Sequence, residues 1–215
     1  MFQVQVFTLY PEVFPGPLAK GLYGKALTSK LWKLNVTNIR DAATDKHKTV
    51  DDTPYGGGSG MLLKADVLAN SLDQKLKKGE RVFYLSPKGK KFDQKLAQDL
   101  SKEKSISLIC GHFEGVDERV LTTRNIEEIS IGDYVLSGGE TAALVILDSI
   151  LRLLPGVLGN EKSSVDETFE NGLLEYPQYT KPQIWEEKSV PEVLLSGDHA
   201  KIKDWRLSQS EAITR

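Results

Sequence analysis

Apolar residues recur along this chain with two periods, and the switches between them mark out its elements. Phe2–Leu9 alternates and is rich in Val and Phe, which predicts a strand closed by Tyr10-Pro11-Glu12. Leu18, Leu22, Ala26 and Leu27 fall on one side of a predicted helix over Pro17–Ser29. Further strands are predicted at Leu34–Ile39, Arg81–Leu85, Ser105–Cys110 and Ile126–Ile131. Helical spacing runs over Met61–Lys77, Asp93–Ser101 and Val116–Thr123. Strands that alternate with helices predict an α/β fold with a parallel sheet. Three strands lead into turns of small, glycine or aromatic residues: Tyr84–Gly89, Cys110–Gly115 and Ile131–Gly139. Turns that follow parallel strands lie on one edge of the sheet, so these three can converge on one pocket.

The stretch Ser130–Glu140 organises the rest. Its loop is glycine-bearing and carries Tyr134. Glycine lets a backbone approach a ligand closely, and an aromatic ring can cover a flat one. Ser137 is a good N-cap, and Glu140 follows three residues later, the pattern of a capping box. The predicted helix Gly138–Leu154 is apolar on most of its circumference, so it is expected to be buried on more than one side. One small sheet offers too little cover for it, which predicts a homodimer.

Two stretches lack periodicity. Arg40–Gly60 is polar and glycine-rich, and a loop of that length is usually functional or a flexible linker. No Gly-Lys-Ser/Thr follows its glycines, which excludes a P-loop, and no GxGxxG follows the first strand, so an ordinary dinucleotide fold lacks its fingerprint. His47 has no second histidine at ligand spacing and reads as a surface residue, so no metal site is expected. Asn160–Tyr179 is polar, acidic and expected to be mobile. Pro191–Arg215 resumes helical spacing at Ile202, Trp205 and Leu207, and is too short to fold alone.

Composition narrows the class. The 215 residues suit one good-sized domain with a small appendage, and 40% hydrophobic with 27% charged residues is a globular balance. No apolar run is long enough to span a membrane, and the single cysteine, Cys110, excludes an internal disulfide or a multi-thiolate zinc site. Cys110 lies in an apolar run and is expected buried and inert; the expected compartment is the cytoplasm. The net charge of −2 hides an asymmetry. Lys20–Lys48 holds seven Lys/Arg against two Asp, and Lys75–Lys95 holds eight against two acids, whereas Asn160–Glu187 holds seven acids against two lysines. Any one of these is usually a solvated face, but two basic segments raise nucleic acid as a partner.

Several motifs in order resemble one family. They are Asp45-Lys46-His47, Val50-Asp51-Asp52-x-Pro54-Tyr55-Gly56-Gly57-Gly58-x-Gly60-Met61, Tyr84-Leu85-Ser86-Pro87, Cys110-Gly111-x-Phe113-Glu114-Gly115, Ser130–Glu140, Pro155–Gly159 and Leu194-Leu195-Ser196-Gly197-x-His199. Together they resemble the bacterial tRNA (guanine-37-N1)-methyltransferases, over essentially the whole chain. The resemblance implies a trefoil-knotted parallel-sheet α/β methyltransferase domain of the SPOUT superfamily over residues 1–159. It further implies an acidic linker over 160–180 and a small helical tRNA-contacting region over 181–215. A homodimer, S-adenosylmethionine as cofactor, and a tRNA substrate with guanine at 37 preceded by guanine at 36 are implied with it. The knot comes from the resemblance alone, since general topology rules disfavour it.

Carried over by position, the resemblance places the cofactor at Tyr84, Leu85, Ser86, Pro87, Gly111, Phe113, Glu114 and Gly115. It adds Ile131, Gly132, Asp133, Tyr134, Val135, Leu136, Gly138 and Gly139, with backbone groups of Ile131–Leu136 holding the adenine. Asp51, Pro54 and Gly60 are implied substrate contacts, and Arg152 and Glu167 the catalytic pair. This chain departs from the pattern at Glu167, which stands for an aspartate, and in the turn after Cys110, where His112 stands for an arginine and Phe113 for a tyrosine. The chemistry asks for such a pair. Guanine N1 must lose a proton, which a carboxylate can take, and charge growing on O6 can be met by a guanidinium. Methyl transfer itself needs no metal; a magnesium ion is compatible with it, with no site readable in the sequence. The rival class is a knotted-fold module that holds RNA or cofactor without turnover, motivated by Glu167 and His112.

Overall fold

The computed structural model describes residues 1–77, 79–158 and 173–215. Two compact units emerge, Met1–Gly159 and Asn160–Arg215. The first is built on a five-stranded sheet. Its strands are β1 (Phe2–Thr8), β2 (Trp32–Asn38), β5 (Arg81–Lys91), β6 (Ser105–Cys110) and β7 (Glu127–Ser130). Their order is β2-β1-β6-β5-β7 and every neighbouring pair is parallel. A two-stranded antiparallel ladder pairs β3 (Asp51–Asp52), in the long polar stretch, with β4 (Leu62–Leu63) just beyond it.

Strand alternation sends side chains to two cores. Phe83 and Leu85 of β5, with Ile106, Leu108 and Cys110 of β6, join one cluster, under α3 (Gln94–Ser101) and α5 (Glu140–Leu151). Val82, Tyr84 and Ile109 join the other, with α2 (Ala65–Asp73) and α4 (Glu118–Thr123). A parallel sheet covered on both faces is why β6 reads as an unbroken apolar run rather than an alternating one. Helix α1 (Gly21–Thr28) links β1 to β2, and Asp93 caps α3 by accepting from Leu96 N–H at 2.8 Å.

Several local expectations change. The turn expected at Ser86–Gly89 does not end its strand. Leu85 pairs with Ile129, four residues leave the ladder, and Lys90 pairs with the same Ile129. The helix expected from Met61 begins at Ala65, because Leu62 and Leu63 are taken by the β3–β4 ladder. The capping box at Ser137 does not form: α5 starts at Glu140 with Gly139 at its N-cap and no side-chain cap. Seven residues of α5 are buried within the chain itself, leaving Thr141, Val145 and Asp148 as an exposed stripe.

In the second unit, Ile184–Trp185 (β8) and Lys188–Ser189 (β9) form a hairpin turned by Glu186 and Glu187, both at positive φ. Two helices follow, α6 (Glu192–Leu195) and α7 (His199–Thr214), the latter capped by Asp198. The linker residues Asp166 and Glu167 lie outside the described residues.

Candidate functional site

Three segments meet at the carboxyl edge of the sheet: the excursion after Leu85 in β5, the loop after Cys110 and the loop after Ser130. With Leu62 they enclose a cavity of about 530 Å³, inside the range of roughly 300–1,000 Å³ usual for small-molecule sites. The loops are fastened to one another by backbone. Gly139 N–H donates to Gly111 C=O at 3.0 Å, Glu114 N–H to Met61 C=O at 2.9 Å and Leu63 N–H to Gly115 C=O at 2.9 Å. A Cβ on Gly139 would stand 2.6 Å from Cys110 Cα, so any side chain there forces the two loops apart. Phe113 is held at φ 60°, the left-handed region, which for a non-glycine residue costs roughly 1–3 kcal/mol.

The residues expected to hold a cofactor are brought together here. Tyr84–Pro87, Gly111, Phe113–Gly115, Ile131, Gly132, Tyr134–Leu136, Gly138 and Gly139 all line the cavity, whereas Asp133 is exposed and does not. Tyr134 lies over its own loop, with its hydroxyl donating to Ile131 C=O at 3.3 Å. Of the expected substrate contacts, Gly60 touches the rim: its Cβ would lie 2.3 Å from Glu114 Cγ. Asp51 pairs with Leu63 in the short ladder, and Pro54 is half-buried outside the lining. Arg152 stands at the C-cap of α5, also outside the lining.

Sequence reasoning named Glu114 but passed over two further acids, Glu118 and Glu128, and one polar cluster. Glu114, Glu118 and Glu128 line the cavity against one lysine, Lys88. The Tyr84 phenol is pushed up to about 12, by burial first and by the charge of Glu128 second. Beside the cavity, Glu140 is buried at the N-terminus of α5 and accepts from the Thr8 hydroxyl. Nε2 of His112 lies 2.8 Å from one Glu140 oxygen and 2.9 Å from the other. An ionised carboxylate only accepts, so this contact assigns the ring proton to Nε2. Tyr10 completes the cluster: its N–H donates to Thr8 Oγ1 at 2.9 Å, and its ring meets the His112 ring edge-on at 4.9 Å. The one local signal for it was a histidine where the family pattern carries arginine.

At the far end of α5, Tyr23 Oη–H donates to Asp148 Oδ1 at 2.9 Å. Burial, then the Asp148 contact, push the Tyr23 phenol up to about 12, with the charge of Arg152 pulling the other way.

A doubly covered parallel sheet with a glycine-walled cavity at its carboxyl edge defines an α/β ligand-binding protein of the kind that binds at strand ends. The model of the family tRNA (Guanine-1)-methyltransferase TrmD matches residues 2–215, and the chain belongs to that family. It is 82% identical over 215 residues to a tRNA (guanine-N(1)-)-methyltransferase of Pelagibacter ubique (strain HTCC1062), covering all of this chain and 94% of that one. Proteins of the same name from Bartonella tribocorum and Brucella canis are 58% and 54% identical over 214 residues, with 92% and 87% of their lengths covered. No helix among the described residues is long and apolar enough to cross a membrane.

Proposed function

We propose that this chain methylates N1 of guanine in tRNA, using S-adenosylmethionine, at position 37 when guanine precedes it. The observation that carries the reaction class is the match over this whole chain, at 82% identity, to a relative named tRNA (guanine-N(1)-)-methyltransferase. The cavity fits the cofactor on its own terms. A Cβ at Gly111, Gly132 or Gly138 would collide with Tyr84, Tyr134 or His112 of the lining, so the walls need glycine, and three carboxyls against one lysine suit a ligand with positive charge. When bound, S-adenosylmethionine supplies a methyl group already activated on sulfonium. The cavity loops then hold the cofactor in line, Arg152 meets charge on guanine O6, and Glu167 takes the N1 proton. We place these parts in a trefoil-knotted SPOUT homodimer in the cytoplasm, with the 181–215 region touching tRNA. Magnesium is compatible with this scheme, and no step is assigned to it.

The test is methyl transfer to tRNA transcripts that differ only at positions 36 and 37. Transfer to the G36-G37 transcript, lost when G37 is replaced, is the expected result. Cofactor and tRNA binding with no transfer to any transcript would instead favour the module without turnover. Glu167→Ala should lower turnover by on the order of 10²–10⁴ while Glu167→Asp keeps substantial activity. If Asp166→Ala has the large effect and Glu167→Ala does not, Asp166 is the base.

A further inference from the structure

The hairpin of the second unit, in the region proposed to touch tRNA, exposes large apolar surface with no stated role in that contact. Ile184 and Trp185 are 64% and 62% exposed, at adjacent positions of a two-residue strand. A lone exposed apolar residue is unremarkable, but Trp185 also lines a concavity of about 470 Å³. Its walls carry a second aromatic, Tyr179, two lysines, Lys181 and Lys188, and two amides, Gln178 and Gln183. Lys188 is the register partner of Trp185 across the hairpin. The two acids of this hairpin, Glu186 and Glu187, form its turn and are outside the lining.

We infer that this concavity takes one unpaired nucleotide of the tRNA, with its base stacked on Trp185 and its phosphate near Lys181 and Lys188. The inference rests on the tRNA reading above and gives it a second point of grip. Each part of a nucleotide meets a suitable group. The flat, amphipathic indole offers a stacking face that any base accepts, and amide side chains can satisfy base-edge donors and acceptors. The ammonium groups answer the phosphate charge. A protein partner would use the same aromatic surface, but two lysines inside a site with no acid in its lining favour a polyanion.

Tryptophan fluorescence reads the proposal directly. The chain has three tryptophans; Trp32 is buried and Trp205 half-buried beside Tyr179, whereas Trp185 is exposed and lines the concavity, so Trp185 should carry most of the change in emission. Titration with an unmodified tRNA transcript should quench emission, and Trp185→Ala should remove most of that quenching. The same variant should weaken tRNA binding by roughly ten- to a hundredfold, while Trp185→Phe keeps most of the affinity. Lys188→Ala should lower the slope of log affinity against log salt by about 1. S-adenosylmethionine affinity should be unchanged in all three. Full quenching and unchanged tRNA affinity in Trp185→Ala would overturn the inference alone. A wild-type chain that binds no tRNA would overturn it together with the reading it rests on. Conversion of a dimer to monomer by Trp185→Ala, seen by light scattering, would assign the surface to a second copy and also overturn it.

Discussion

The two ends of α5 carry similar groups and do opposite things with them. At the N-terminal end a carboxylate is buried, takes two side-chain donors from elements 132 and 28 residues away, and sits where the helix dipole favours negative charge. At the other end Asp148 is exposed and takes one hydroxyl from Tyr23. The first arrangement ties β1, the loop after β6 and α5 into one block beside the cavity. The second competes with water and adds little. What separates them is desolvation: the same carboxylate chemistry specifies a structure only where water cannot replace the partner.

Four measurements sharpen or break this contrast. Glu140→Ala leaves the Thr8 hydroxyl and the His112 Nε2–H without their acceptor, and should cost roughly 1–3 kcal/mol for each stranded donor in urea unfolding. A loss below about 1 kcal/mol would mean that water repairs the site. Thr8→Val removes one donor to Glu140 and strands the Tyr10 N–H, for a loss of about 1–3 kcal/mol. The alkaline limb comes next. Tyr84 and Tyr23 both hold their protons to about 12, against about 10 in the unfolded chain. The native state therefore binds more protons in that window, and stability falls as pH rises from about 10 to about 12. Tyr84→Phe and Tyr23→Phe should each flatten that fall, and by similar amounts, because both phenols are held to about 12. The smallest effect is Asp148→Asn, under about 1 kcal/mol by the same unfolding assay.

These comparisons also mark what could be read from the sequence. The strand Ser105–Cys110 and the helix after Asp93 were legible because their signals are local, an apolar run and helical spacing; that Asp93 is the cap rather than the first turn emerged only from the structure. The cavity-lining loops were legible as glycine-bearing segments after parallel strands. Glu140 was misread for a physical reason. Three residues after Ser137 it looks like a capping-box partner, but Thr8 and His112 claim its oxygens from far along the chain, and no local window contains them. Ser86–Gly89 looked like the end of a strand because turn residues carry no information about whether the ladder resumes beyond them. The β3–β4 ladder escaped notice because two residues are too few to show alternation.

Cys110 gives the contact between Gly139 and the end of β6 a practical use. It is the single thiol in the chain, it is buried, and burial together with the charge of Glu140 holds it well above the usual thiol range. A thiol reagent can reach it only when the loops above lift off. The labelling rate under native conditions therefore clocks the opening of the cavity end, without a probe being introduced. Comparing that clock with and without a bound ligand would report how far occupancy locks the loops, in seconds rather than in distances.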